Sequence, residues 1–173
     1  QAMAGAKGLG LRSVVIADAG PLIALSRIDS LDLLHGLFGQ VLVTEAVRDE
    51  ALPAADYPGK AVIARAFDEG WLACPGPFDT SWQPVNPGLD AGERSAIAAA
   101  VKMPGCLLII DDRAGRAEAR LHKVAIVGTA AVIGLAKLQG LIPAARPVLD
   151  RLRPAGYFVH PRIIEAVLQG IGE

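Results

Sequence analysis

The chain has 173 residues, 52% of them apolar and 5% aromatic, with a formal net charge of −1. That length and apolar content exclude a disordered chain and fit one domain with a sizeable core. The few aromatics argue against stacked bases as the main binding mode, and the net charge alone says little about nucleic acid.

Along the chain, residues 13–17 form a β-branched run that ends at Asp18, followed by Ala19-Gly20-Pro21. This reads as a buried strand and a turn. Residues 22–37 carry apolar side chains at helical spacing, interrupted near Asp29-Ser30, where a second helix is capped. Residues 40–43 read as a short strand, and Thr44 caps a helix over residues 45–52. A loop with two prolines over 53–59 leads to a helix over 60–69, stopped by Gly70, and to a strand over 71–74. Residues 75–88 hold four prolines and read as a long surface loop. Asp90 begins an Ala-rich helix reaching Lys102. Residues 107–110 form a strongly apolar strand running into Asp111-Asp112. A helix over 113–121, a strand over 124–127 and a helix over 129–138 follow. Helices over 143–152 and 162–168 complete the chain.

Apolar strands that alternate with helices imply an α/β fold with a central, mostly parallel sheet covered on both faces, a three-layer α/β/α sandwich. In such folds ligands sit beyond the carboxyl ends of the strands. The most apolar stretch, residues 124–136, is 13 residues long, short of the roughly 18–20 that a spanning helix needs. No basic segment followed by an apolar core opens the chain, so no secretory signal is expected. Cys74 and Cys106 lie far apart without metal spacing, and two free thiols suit the cytoplasm.

The carboxylates fall where such a sheet presents its site. Asp18 closes the first strand, and Asp111-Asp112 close the strand over 107–110. Asp is a poor strand residue and costly to bury unpaired, while the rival reading of Asp18 is an Asx-turn ahead of Gly20-Pro21. Two adjacent acids repel, so a nearby cation stabilises them, although one of the pair can simply cap the next helix. Glu45, Asp49 and Glu50 follow the second strand, where the helix dipole or solvent explains them equally well. Asp90-Ala91-Gly92-Glu93 has capping-box spacing. Together these acids suit Mg2+ or Mn2+, hard cations that prefer oxygen ligands. Such ions polarise a phosphoryl oxygen, acidify water and steady a leaving oxygen. His35, His122 and His160 share no ligand spacing.

Charge is unevenly spread. Residues 1–112 carry 8 Lys/Arg and 14 Asp/Glu, whereas residues 113–173 carry 9 and 4, which suggests an acidic site beside a basic surface. Arg113, Arg116 and Arg120 are spaced by 3 and 4 residues and share one helix face just after Asp112. They can grip phosphates, or form a solvated face or a salt bridge to Glu118.

Four stretches resemble the motifs of the PIN-domain family: residues 15–25 around Asp18, residues 47–50 ending at Glu50, residues 89–97 around Glu93, and residues 107–113 around Asp111-Asp112. The likeness runs from Val14 to Gly140 with the acidic stations in order, and is nearest to a PIN branch of largely unassigned function. Better-known relatives are VapC-like toxin nucleases. The resemblance implies a Mg2+- or Mn2+-dependent endoribonuclease, with the toxin of a toxin–antitoxin pair as one form of it. It implies Asp18, Glu50, Glu93 and Asp112 as catalytic acids, with metal held by Asp18, Glu93, Asp112 and Asp111, the last in direct or supporting contact. RNA, an antitoxin protein and a second copy of the chain are the expected partners. Gly20 and the Glu at the third station depart from common toxins. Residues 1–11 are expected to be a tag or disordered, residues 12–142 the PIN-like nuclease domain, and residues 143–173 a helical extension packed on it. The alternative is a non-catalytic PIN-like interaction module whose acidic pocket a partner fills.

Overall fold

The computed structural model describes residues 13–79 and 81–173. The expected N-terminal tag, residues 1–11, lies outside the described residues. Five strands build the sheet: β1 (Val15–Ala17), β2 (Val41–Leu42), β3 (Leu72–Ala73), β4 (Leu107–Ile109) and β5 (Ala125–Val127). Their order is β3-β2-β1-β4-β5 and every pair is parallel, so the sheet is wholly rather than mostly parallel. Ile16 pairs with both Leu42 and Leu108, and Leu108 with Ile126. All residues of β1 and β4 are buried, which explains their unbroken apolar sequences. The edge strand β5 is part exposed.

Nine helices among the described residues flank the sheet and complete an α/β/α sandwich. They are α1 (Ala19–Arg27), α2 (Asp32–Phe38), α3 (Glu45–Ala51), α4 (Lys60–Asp68), α5 (Ala91–Val101), α6 (Arg113–Leu121), α7 (Thr129–Leu138), α8 (Arg146–Leu149) and α9 (Pro161–Ile171). α5 lies on β1 and β4 and packs against α6, while α1 meets α4 and α7, and α7 meets α2 and α9.

Local boundaries shift for identifiable reasons. Ala19-Gly20-Pro21, expected as a turn, is the first turn of α1. Proline is tolerated there because its missing N–H would find no intrahelical partner anyway. The helix expected over 143–152 shrinks to α8, and residues 150–156 form turns. Pro154 disfavours helix in the residue before it, and Gly156 adopts φ 88°. Arg151 leaves the helix line to donate from Nη1 to the Ile28 carbonyl (2.9 Å). This turn therefore fixes where the next segment, residues 157–160, returns over the sheet's end.

From β1 the chain winds through β2 to β3 on one side, then crosses back to β4 and β5 on the other. The reversal lies between β1 and β4. It opens a crevice beyond their carboxyl ends, because the connecting helices leave in opposite directions there. Among the described residues no helix is long and apolar enough to cross a membrane. Cys74 and Cys106 are both free thiols.

Candidate active site

The crevice at the reversal is a cavity of about 320 Å³ whose wall includes Asp18, Glu50, Asp90, Glu93, Asp111 and Asp112. Asp18 follows β1, and its amide donates to the Ile109 carbonyl of β4 (2.9 Å). It sits at the N-cap of α1 yet makes no side-chain capping bond, so the Asx-turn does not form. Only 6% of its surface is exposed. Burial, opposed by a hydrogen bond from the Ala19 amide and reinforced by the charges of Glu50, Glu93 and Asp90, pushes its carboxyl up to about 7.

Glu50 arrives on α3. Thr44 caps that helix by accepting from the Val47 amide (3.2 Å), and its hydroxyl lies 2.7 Å from that of Ser95 on α5. This pair brings the two helices together. Gly92 lies beneath the Glu50 carboxylate, and a Cβ there would collide with Glu50 Oε2. A glycine inside a helix costs roughly 1 kcal/mol relative to alanine; here it admits a carboxylate onto the N-terminal turn of α5. Burial raises the Glu50 carboxyl, with Asp90 adding to the shift.

Asp90 and Glu93 form a complete capping box. Asp90 Oδ1 accepts from the Glu93 amide (2.7 Å), and Glu93 Oε2 accepts from the Asp90 amide (3.1 Å). Glu93 is pushed up to about 7, first by burial, against the Asp90 hydrogen bond, and further by the charges of Asp112 and Asp90. Capping and a place in the cavity thus coexist at one helix start. The sequence marks Asp90 as a cap alone, yet it lines the cavity.

Adjacent acids part company after β4. Asp112 is the N-cap of α6, accepting from the Gly115 amide at Oδ2 (2.8 Å). Asp111 accepts from the Thr129 amide at Oδ1 (2.8 Å), and at Oδ2 from the Thr129 hydroxyl (2.5 Å) and the Tyr157 hydroxyl. With its oxygens so engaged, Asp111 ties β4 to the start of α7 and to the C-terminal segment. A Cβ at Gly20 would come within 3.4 Å of the Tyr157 hydroxyl, so a small residue at position 20 leaves room for the tyrosine. Burial and the Asp111 charge raise the Tyr157 phenol, which keeps it a proton donor.

None of the six cavity acids has a salt-bridge partner among the described residues. Their chemistry, carboxylate oxygens alone, fits a hard divalent cation. As the side chains stand, no group of three His, Cys, Asp or Glu among the described residues is placed to grip an ion. Mg2+ does not require such a cage, because it keeps several waters and binds through one or two carboxylates plus substrate phosphate.

A second cavity, about 500 Å³, adjoins the first and shares Asp111 and Phe158 with it. Arg113, Arg116 and Arg120 all line it, as the helical spacing requires. Arg116 is half-buried and donates from Nη1 to the Ile110 carbonyl (2.9 Å), whereas Arg113 and Arg120 are exposed. Glu118, the rival salt-bridge partner, is buried on another side of α6. It accepts from the amides of Val85 (2.6 Å) and Asn86 (3.2 Å) and pins the proline-rich loop. The arginines thus carry no carboxylate pairing among the described residues. Tyr157 and Phe158 were missed from sequence; two adjacent aromatics after a glycine, in a chain with few, were the available signal.

No curated protein and no solved structure matches the chain. The family model DUF3368, a PIN domain, matches residues 14–173, and so runs through residues 143–173 as well as the stretch that carries the four motifs. PIN domains are generally nucleases and typically use divalent metals. The chain belongs to the DUF3368 family of PIN domains.

Proposed function

We propose that the chain is a Mg2+- or Mn2+-dependent endoribonuclease that hydrolyses RNA phosphodiester bonds at the acidic cavity. The observation that carries this reading is six carboxylates, from four separate parts of the sequence, lining one crevice without a salt-bridge partner among the described residues. Asp18, Glu93 and Asp112 would hold the cation, with Glu50 as the fourth acid and Asp111 fixing the wall behind them. When bound, the cation supplies Lewis-acid polarisation of the phosphoryl oxygen and an acidified water. Without metal, burial pushes Asp18 and Glu93 up to about 7, so a cation that binds them displaces their protons. Arg113 and Arg120 grip flanking phosphates by charge-assisted hydrogen bonds, and Arg116, pinned to the Ile110 carbonyl, presents a fixed charge beside the cavity.

The finer parts of the reading are a cytoplasmic protein, a homodimer, and the toxin of a toxin–antitoxin pair. Light scattering and co-purification with a neighbouring gene product test the last two. The enzymatic core is tested by incubating an RNA panel with and without Mn2+. Wild-type protein should cleave only with metal, and Asp18→Asn should lose cleavage while staying folded. Full activity in Asp18→Asn would sink the proposal, and failure of the wild type to bind Mg2+ or Mn2+ at millimolar levels would favour a non-catalytic module.

A further inference from the structure

We infer that the arginine-lined groove is a nucleobase subsite, which stacks on Phe158 the base of a nucleotide next to the scissile phosphate of single-stranded RNA. The inference rests on the nuclease reading above and adds the substrate feature that the groove selects.

Three observations converge. Phe158 is 64% exposed and Ile163 is 53% exposed, so two large apolar side chains stand open on one rim of a cavity. Scattered singly, such residues mean little; clustered in a concave site rimmed by charge they mark a binding surface. Next, Phe158 and Asp111 line both the acidic cavity and the groove. The Phe158 ring is therefore within reach of a nucleotide next to a phosphate held at the acids. Finally, the groove pairs apolar surface (Ala130, Ala131, Val159) with Arg113 and Arg120, two exposed cations free of salt bridges among the described residues. A nucleotide has the same two halves, a flat apolar-faced base and an anionic phosphate.

The surroundings of the ring suit stacking. The Arg153 guanidinium lies 5.9 Å from the Phe158 ring centroid, and the His160 ring stands edge-on with centroids 6.5 Å apart. Arg153 lies over one face of the ring, which leaves the other face for a base. A base can reach such a platform only when it is unstacked from its neighbours, so duplex RNA is excluded and single-stranded RNA is selected.

The test uses a short single-stranded oligoribonucleotide that carries a fluorescent adenine analogue, in chelator-treated, metal-free buffer where the proposed hydrolysis cannot run. Wild-type protein should quench the analogue on binding. Phe158→Ala should abolish the quench and weaken binding roughly tenfold, Phe158→Trp should restore both, and a duplex of the same sequence should bind more weakly. Arg113→Ala and Arg120→Ala should weaken binding and keep the quench. Since Phe158 is exposed, thermal melts of its variants should match the wild type. Equal affinity and quench in Phe158→Ala, in a protein that still cleaves RNA with Mn2+, would overturn the subsite and leave the nuclease reading standing. No RNA binding and no cleavage by the wild type would overturn both. Phe158-dependent binding of an acidic peptide, with the oligonucleotide indifferent to Phe158, would overturn the subsite and make the groove a protein-docking surface.

Discussion

The acidic cavity and the arginine groove share a wall but are built on opposite principles. The cavity collects acids at the ends of the two most buried strands, β1 and β4, and at the starts of helices. Its carboxylates hold their positions through backbone amides, at Asp90, Glu93 and Asp112. The groove is lined by the three arginines of α6, two of them exposed, and by the returning residues 158–160. Asp111 and Asp112 embody the contrast within two residues: Asp112 caps a helix at the cavity, while Asp111 is spent on Thr129 and Tyr157. Like charges crowd around the one buried acid of the cavity, Asp18, whereas Arg113 and Arg120 leave their charges to solvent until a ligand arrives. The one region stores a cost that a cation relieves; the other gains only when RNA binds.

The largest expected effect probes that stored cost. Burial pushes the Asp18 carboxyl up to about 7 in the folded state, against about 3.9 for a free Asp, so the folded state binds the extra proton. Its contribution is complete below about pH 4, is lost as pH rises through 7, and then levels off. Metal-free protein should lose up to about 4 kcal/mol of stability between pH 4 and 8. Denaturant titrations across that range should show the loss in the wild type and a flatter profile in Asp18→Asn. A wild-type stability that climbs with pH would refute the buried-acid account, and saturating Mg2+ should flatten the wild-type profile too.

Next in size is the split between the neighbouring acids. Asp112→Asn keeps a capping side chain and should stay folded while losing about a hundredfold or more in Mn2+-dependent cleavage. Asp111→Asn should instead destabilise by about 2 kcal/mol, because buried donors lose a charged acceptor. Calorimetry and cleavage rates on the pair would break the contrast if both variants behaved alike. In the groove, Arg113→Ala and Arg120→Ala should each reduce the slope of log affinity against log salt for single-stranded RNA by about 0.7, with Mg2+ affinity unchanged.

The smallest effect concerns Gly92. Gly92→Ala should improve helix propensity by up to about 1 kcal/mol while pushing the Glu50 carboxylate aside. Thermal melts should therefore show little loss, and cleavage should fall. Unchanged cleavage would remove Glu50 from the working set.

Much of this protein was legible in its sequence. The unbroken apolar runs at β1 and β4 can only sit in a sheet covered on both faces, and acids placed straight after them must lie at its carboxyl edge. The Thr44 cap, the Asp90–Glu93 box and the shared face of the three arginines follow from local spacing, since helical periodicity and capping are short-range. What the sequence left open was long-range. No local rule brings Tyr157 across to Asp111, 46 residues away, or turns Glu118 from an arginine partner into the anchor of a loop 32 residues earlier. Pro154 and Gly156 broke a helix that the apolar pattern had extended, and that break set the path of residues 157–160. The composition argued against aromatic platforms, yet the tertiary path delivers one aromatic to the rim that both cavities share. Local chemistry determined the elements and the acids at their ends; only the packing of distant segments decided which acid is engaged, which stays open, and what stands beside it.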